Sequence, residues 1–182
     1  MLLNSVERLG EMMKVLVSDT DRARTLLSTE NSPYARRNYI RTFFAMIEGL
    51  TFQMKQVALE RGNQGFVTFS PSEHDQLLED SGFVRPLDNI RLSFESFARA
   101  HGSSFRPNYG DHRWDRLGKG IRIRNGVTHP KRLSDLDITD IDVQTLREAI
   151  SWYRDTLMEL LRHCTLSILG NRGKDPQNST QS

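Results

Sequence analysis

At 182 residues the chain is sized for one domain that can bury a core. Charged residues make up 26% and hydrophobic ones 37%, a globular rather than a disordered balance, and the net charge of +2 singles out no class of charged partner. No apolar run reaches the roughly 18 residues of a membrane-spanning helix, and a lone cysteine, Cys164, excludes an internal disulfide framework and a cysteine-built zinc site.

Asn4, Glu7 and Arg8 break the N-terminal apolar run before a signal-peptide core can form, so the expected address is a reducing cytoplasm with no membrane partner. The periodicity of Val6, Leu9, Met12 or Met13 and Leu16 predicts a first helix over about 5–27. Ser32 as cap, Pro33 in the first turn and Gly62 past the end frame a second helix. Its stripe of Ile40, Phe43 or Phe44, Ile47, Leu50, Met54 and Val57 makes it the core helix. "FVTF" (66–69) is a short β-like run that is not assigned to a sheet. Ser70–Pro71 opens a short helix that Gly82 is expected to end, and Pro86 opens another that Gly102 stops near His101.

A further helix starts near Asp111 and runs into "GKGIRIRNGVTHPKR" (118–132). "RLSDLDITDID" (132–142) is a structured connector, with Thr139, Asp140 or Asp142 able to cap the helix after it. That last helix, about 143–169, carries Val143, Leu146, Ile150, Tyr153, Leu157, Leu160, Cys164 and Ile168 at the spacing of a bundle seam. Residues 171–182 have nothing to bury and are expected to be a disordered tail. The sequence therefore predicts an all-α, up-and-down bundle of four or five principal helices, forming a single domain over 1–170.

Charge is unevenly distributed. Residues 111–132 hold seven Lys/Arg against Asp111 and Asp115, a net of +5, whereas 133–159 hold seven acids against Arg147 and Arg154, a net of −5. Such a layout suits a local anion site. Trp114, Leu117 and Ile121 form a stripe whose continuation reaches Arg124 and then Thr128, so an arginine occupies an apolar position and needs an acid or a phosphate to meet it. His129 lies five residues beyond, about 140° around an ideal helix. Gly126 weakens the helix and Pro130 drives His129 out of helical geometry, so the helix is expected to end near Thr128 and free the histidine to turn toward the arginine face. Asn125, four residues before His129, is placed to orient its ring.

"RNGVTH" (124–129), on an all-helical chain and followed by a long helix, resembles the RxxxxH signature of the HEPN superfamily (higher eukaryotes and prokaryotes nucleotide-binding domains). "RNYIRTFFAMIEGL" (37–50) resembles that family's early core helix, so the likeness covers roughly 5–169. The resemblance implies a metal-independent endoribonuclease, needing no cofactor and working as a homodimer in which arginine and histidine of two protomers meet on RNA. It also implies a setting in phage defence or toxin–antitoxin biology, with an antitoxin or defence-system protein as a further partner. Carried over, Arg124 and His129 are catalytic and Asn125 supports them, while Arg122 and Lys131 are placed to bind substrate. Lys131 stands where some members carry a tyrosine that a partner nucleotidyltransferase modifies, so that control is not implied here.

Two other readings stay open. One is a non-catalytic module of the same family that binds RNA, nucleotide or a protein; the other is a plain helical dimerisation domain whose Arg124 and His129 offset a helix C-terminus. Arg113, Arg116 and Lys119 read as a solvated face. Glu48 reads as an exposed edge, or as the acid that holds Arg124. Trp114, Trp152 and Tyr153 read as core, Cys164 as packing, and His74, His101, His112 and His163 share no metal-ligand spacing.

Overall fold

The computed structural model describes residues 4–78 and 84–172, the last two by backbone alone. Among the described residues are six α-helices, a short 3-10 turn and no strand, in line with the all-α expectation. The helices are α1 (Ser5–Glu30), α2 (Pro33–Asn63), α3 (Pro71–Leu77), α4 (Pro86–Ala100), α5 (His112–Thr128) and α6 (Asp140–Arg172), with the 3-10 turn at Leu133–Leu136. The β-like "FVTF" run pairs with nothing as a strand among the described residues.

Local side chains set most helix ends. The Asn4 carboxamide accepts from the Glu7 amide while the Glu7 carboxylate takes the Asn4 N–H, a reciprocal cap on α1. Ser32 caps α2, Ser70 and Glu73 cap α3, Asp111 caps α5, and Thr139 with Asp142 closes the same reciprocal bond on α6. Between α1 and α2 the chain reverses through Asn31 at φ 46°, a left-handed conformation that asparagine tolerates. Gly102, at φ 66°, follows the end of α4 as expected. Two ends differ from the sequence reading. Thr139 caps one turn earlier than the apolar stripe begins, so α6 starts at Asp140, and it continues through Asn171 and Arg172, which were expected in the tail. Residues 173–182 of that tail, and the Gly82 stop, lie outside the described residues.

Helix α2 is the centre. Fifteen of its residues are buried, among them Ile40, Phe43, Leu50, Met54 and Val57 at 0% exposure. α1 covers one side and α4 another, while α5 crosses it and pairs with α6. Aromatic rings lock this meeting point: Phe94 lies 5.5 Å from Tyr153 and Trp114 4.6 Å from Trp152, centroid to centroid, and the Trp152 indole N–H donates to the Asn108 carbonyl. Lys55 is also buried there, and burial lowers its pKa. Its amine donates to the Gln76 carbonyl and to Asn89 Oδ1, tying α2 to α3 and α4. Cys164 is buried, and burial pushes its thiol pKa up to about 11, so it stays protonated.

Close helix approach depends on Gly120, where an added Cβ would sit 3.2 Å from both Leu146 of α6 and Phe44 of α2. Gly10 on α1 faces open space. Gly120→Val is therefore expected to cost about 1–3 kcal/mol by overpacking, and Gly10→Ala to add about 0.5–1 kcal/mol through helix propensity. Urea denaturation midpoints check both.

His101 ends α4 buried against Phe97, its Nδ1 2.8 Å from the Phe97 carbonyl oxygen, and burial lowers its pKa below the ordinary 6.5. The folded chain thus takes up this proton less readily than the unfolded one. Stability held above pH 6.5 is lost as pH falls below it, by at most about 1.4 kcal/mol per pH unit for one site. A series of denaturation midpoints between pH 7.5 and about 5 should fall for the native chain and flatten in His101→Gln.

Candidate functional site

The last turn of α5 and the connector after it collect the sequence-predicted residues. Helix α5 ends at Thr128, and His129 follows at φ −128° and ψ 62°, outside helical geometry as Pro130 requires. Its amide still donates to the Asn125 carbonyl at 2.9 Å, while its ring is exposed. The ring borders a shallow depression of about 390 Å³ shared with Asn125, Gly126, Lys131 and Asp135.

Arg124 faces a different way. Its side chain is 24% exposed and ion-pairs with Glu48 of α2, whose own side chain is 57% exposed. Glu48 is therefore both the exposed edge and the acid that holds Arg124. The pair rims a second, smaller notch of about 50 Å³ with Ile121 and Thr51. Thr51 Oγ1 is buried there without a hydrogen-bond partner among the described residues. Such a volume holds a water or two and no nucleotide, so a phosphate reaching Arg124 must come from the open side. The apolar stripe runs from Leu117 through Gly120 to Val127, which is fully buried, rather than to Thr128, which is exposed.

The expected trio is only partly assembled within one chain. Asn125 Oδ1 accepts from Arg124 Nη1 at 3.0 Å, so its side chain orients the arginine and not the histidine ring. Among the described residues no hydrogen bond joins Arg124 to His129, and the two border separate depressions. Arg122 and Lys131, the expected substrate-binding residues, are exposed, and with Lys119 they are the basic residues of this segment without a salt bridge among the described residues.

The other cations of the segment are occupied. Arg113 pairs with Asp111 at 2.7 Å and Asp155 at 2.9 Å, and Arg116 with Glu148 at 2.9 Å. Hydrogen bonds from the Arg113 side chain and amide hold the Asp111 pKa below its ordinary value. Two ion pairs, Arg113–Asp155 and Arg116–Glu148, thus join the +5 and −5 segments across the α5–α6 contact, and Arg113 and Arg116 belong to that contact rather than to a solvated face.

Sequence reasoning missed three arginines of α2. Arg36 donates to the Ile138 carbonyl at 2.7 Å and pairs with Asp140; Arg37 donates to the Leu136 carbonyl at 3.2 Å; Arg41 donates to the Val127 carbonyl at 3.2 Å. Together they fasten the end of α5 and the acidic connector to the core helix, which fixes the backbone on both sides of His129. Arg41 performs at this helix C-terminus the capping that a plain dimerisation domain would assign to Arg124 and His129. The available signal was "YARRNYIR" (34–41), three cations on a core helix in a chain that also carries a connector rich in aspartate.

Among the described residues no group of three or more His, Cys, Asp or Glu side chains is placed to hold a metal ion, and no helix is long and apolar enough to cross a membrane. No family model, no curated protein and no solved structure matches the chain.

Proposed function

We propose that the chain is a metal-independent endoribonuclease of HEPN type whose site is completed by a second copy. The observation that carries this reading is the split arrangement at the end of α5. His129 stands exposed on a backbone fixed from α2, Arg124 is held one turn away on a different depression, and neither approaches the other within one chain.

The chemistry needs both groups near one phosphate. The 2′-hydroxyl of RNA attacks the adjacent phosphorus, a base removes its proton, and an acid protonates the departing 5′-oxygen. One imidazole cannot be acid and base at the same moment, but two related by a two-fold axis can. The guanidinium of Arg124 would stabilise the extra charge on the phosphoryl oxygens, with Asn125 fixing its plane. Arg122 and Lys131 would track the flanking phosphates. Leu133 and Ile141, 80% and 78% exposed on the connector side, supply apolar surface for a second subunit to cover.

A second reading, a non-catalytic RNA-binding or protein-docking module, is favoured by one observation: the Arg124 guanidinium is already neutralised by Glu48. Incubating the chain with total RNA in EDTA separates the two. The ribonuclease reading predicts cleavage that persists under chelation and falls about a hundredfold or more in His129→Ala, with the circular dichroism spectrum and melting temperature unchanged. RNA retained on a filter without cleavage, and equally by His129→Ala, would establish the module instead. Loss of melting temperature in both Arg124→Ala and Glu48→Ala, with no effect of His129→Ala on RNA, would make the pair structural.

A further inference from the structure

A roomy concavity lies away from the α5 turn, in an open groove of about 820 Å³ between α1 and α6 with α2 as its floor. Helix α1 leans on α2, and α6 packs chiefly on α5, so the two leave a valley where a bundle would place another helix. Met46 and Leu157 line its depth, while Met13 and the more exposed Val17 and Met158 form its shoulders. Val17 is 39% and Met158 60% exposed, apolar side chains with nothing to cover them. Thr20, on the α1 wall, is already satisfied, donating to the Leu16 carbonyl at 2.8 Å. The base of the valley is therefore mainly apolar, and nothing among the described residues fills it.

Its rim is basic. Lys14, Arg22 and Arg24 on α1 and Arg154 on α6 line it, against the single acid Asp21. Lys14 is neutralised by Glu11 and Arg24 by Asp21. Arg22 and Arg154 form no salt bridge among the described residues, and they stand on opposite walls. Two copies related by a two-fold axis would bring these cations against their own images, so a second copy suits the groove poorly. The segment 173–182, "GKDPQNSTQS", has no large apolar side chain to offer. A bilayer is flat and does not enter a concave valley.

We propose that the α1–α6 groove docks an amphipathic helix of a partner protein, with an apolar stripe facing Met46 and Leu157 and acidic residues on both flanks meeting Arg22 and Arg154. The dimensions suit this occupant. The α1 wall from Met13 to Thr25 spans about 18 Å at the helical rise, enough for about three turns of a helix laid alongside it. Apolar burial would supply the affinity, and the two arginines the choice of partner and its dependence on salt. The proposal is independent of the ribonuclease reading.

The test uses the full chain and two fluorescein-labelled helical peptides of about 14 residues, both with a leucine stripe, one flanked by glutamates and the other by lysines. Fluorescence anisotropy should show saturable binding of the glutamate peptide, at least about tenfold tighter than the lysine peptide and weakening as salt rises. Met158→Glu should abolish it, and the double reversal Arg22→Glu with Arg154→Glu should transfer the preference to the lysine peptide. Equal affinity for both peptides, or no binding of either, overturns the proposal. So does a dimer in sedimentation that Val17→Glu dissociates, which would make the occupant a second copy, or vesicles containing phosphatidylserine that displace the bound peptide. All substituted positions are exposed, so the variants should keep the helical spectrum of the native chain.

Discussion

A helix with fifteen buried residues leaves only a narrow face to water, along Arg41, Ala45 and Glu48, and α2 imposes that constraint on the rest of the chain. Its apolar stripe alone would be covered by two neighbours, but Phe43, Phe44 and Met46 point in successive directions, so α1, α4, α5 and α6 are all drawn in. The polar residues that α2 carries must then find partners from inside the assembly. Lys55 does so through neutral acceptors on α3 and α4, and Arg36, Arg37 and Arg41 through carbonyls of the connector and of α5. The carbonyl bonds of the half-buried Arg36 and Arg37 and of the exposed Arg41 are thus what fasten the backbone around His129.

The opposed charges of 111–132 and 133–159 meet across α5 and α6 at two ion pairs, Arg113–Asp155 and Arg116–Glu148. Exposed ion pairs such as Arg116–Glu148 contribute little, too little to hold a helix pair that Trp114 and Trp152 already hold by packing. Their effect is on register: α5 slid by one turn along α6 would set Arg113 and Arg116 opposite different residues. Arg124 differs from these pairs because its guanidinium is largely covered. Removing Glu48 would leave a half-buried cation without a counter-charge, and the guanidinium would then seek an external anion.

What the sequence made legible was local. Ser32, Ser70, Asp111 and Thr139 announce helix starts because a side-chain oxygen satisfies an amide two or three residues on. Pro130 announces the end of α5 because its ring excludes His129 from the helix. The partners of Arg124 were not legible from spacing alone. Glu48 lies 76 positions upstream, and whether it would act as an edge or as a counter-ion depends on how α5 crosses α2, which Gly120 decides through packing. The bond that Asn125 makes to Arg124 was not legible for a related reason. Four residues along a helix place it beneath His129, but with His129 released from the helix its carboxamide is left to the adjacent guanidinium. Val127 took the buried place expected of Thr128 because the final turn follows the α2 surface rather than an ideal period.

The separation of Arg124 from His129 now limits which functional readings are physically coherent. A single chain offers a phosphate either the exposed imidazole beside Asn125 and Lys131, or the covered guanidinium beside Glu48, from two depressions. Catalysis by both requires geometry that one chain lacks, and the connector cannot readily bend to provide it, since Arg36, Arg37 and Arg41 tie it to the core helix. In the proposed dimer a second copy would provide it without deforming either chain, since an isologous contact with His129 at its centre would set the histidine of each protomer toward the other. The ribonuclease reading and the dimer therefore stand or fall together, whereas docking in the α1–α6 groove, on the far walls of α1 and α6, requires neither.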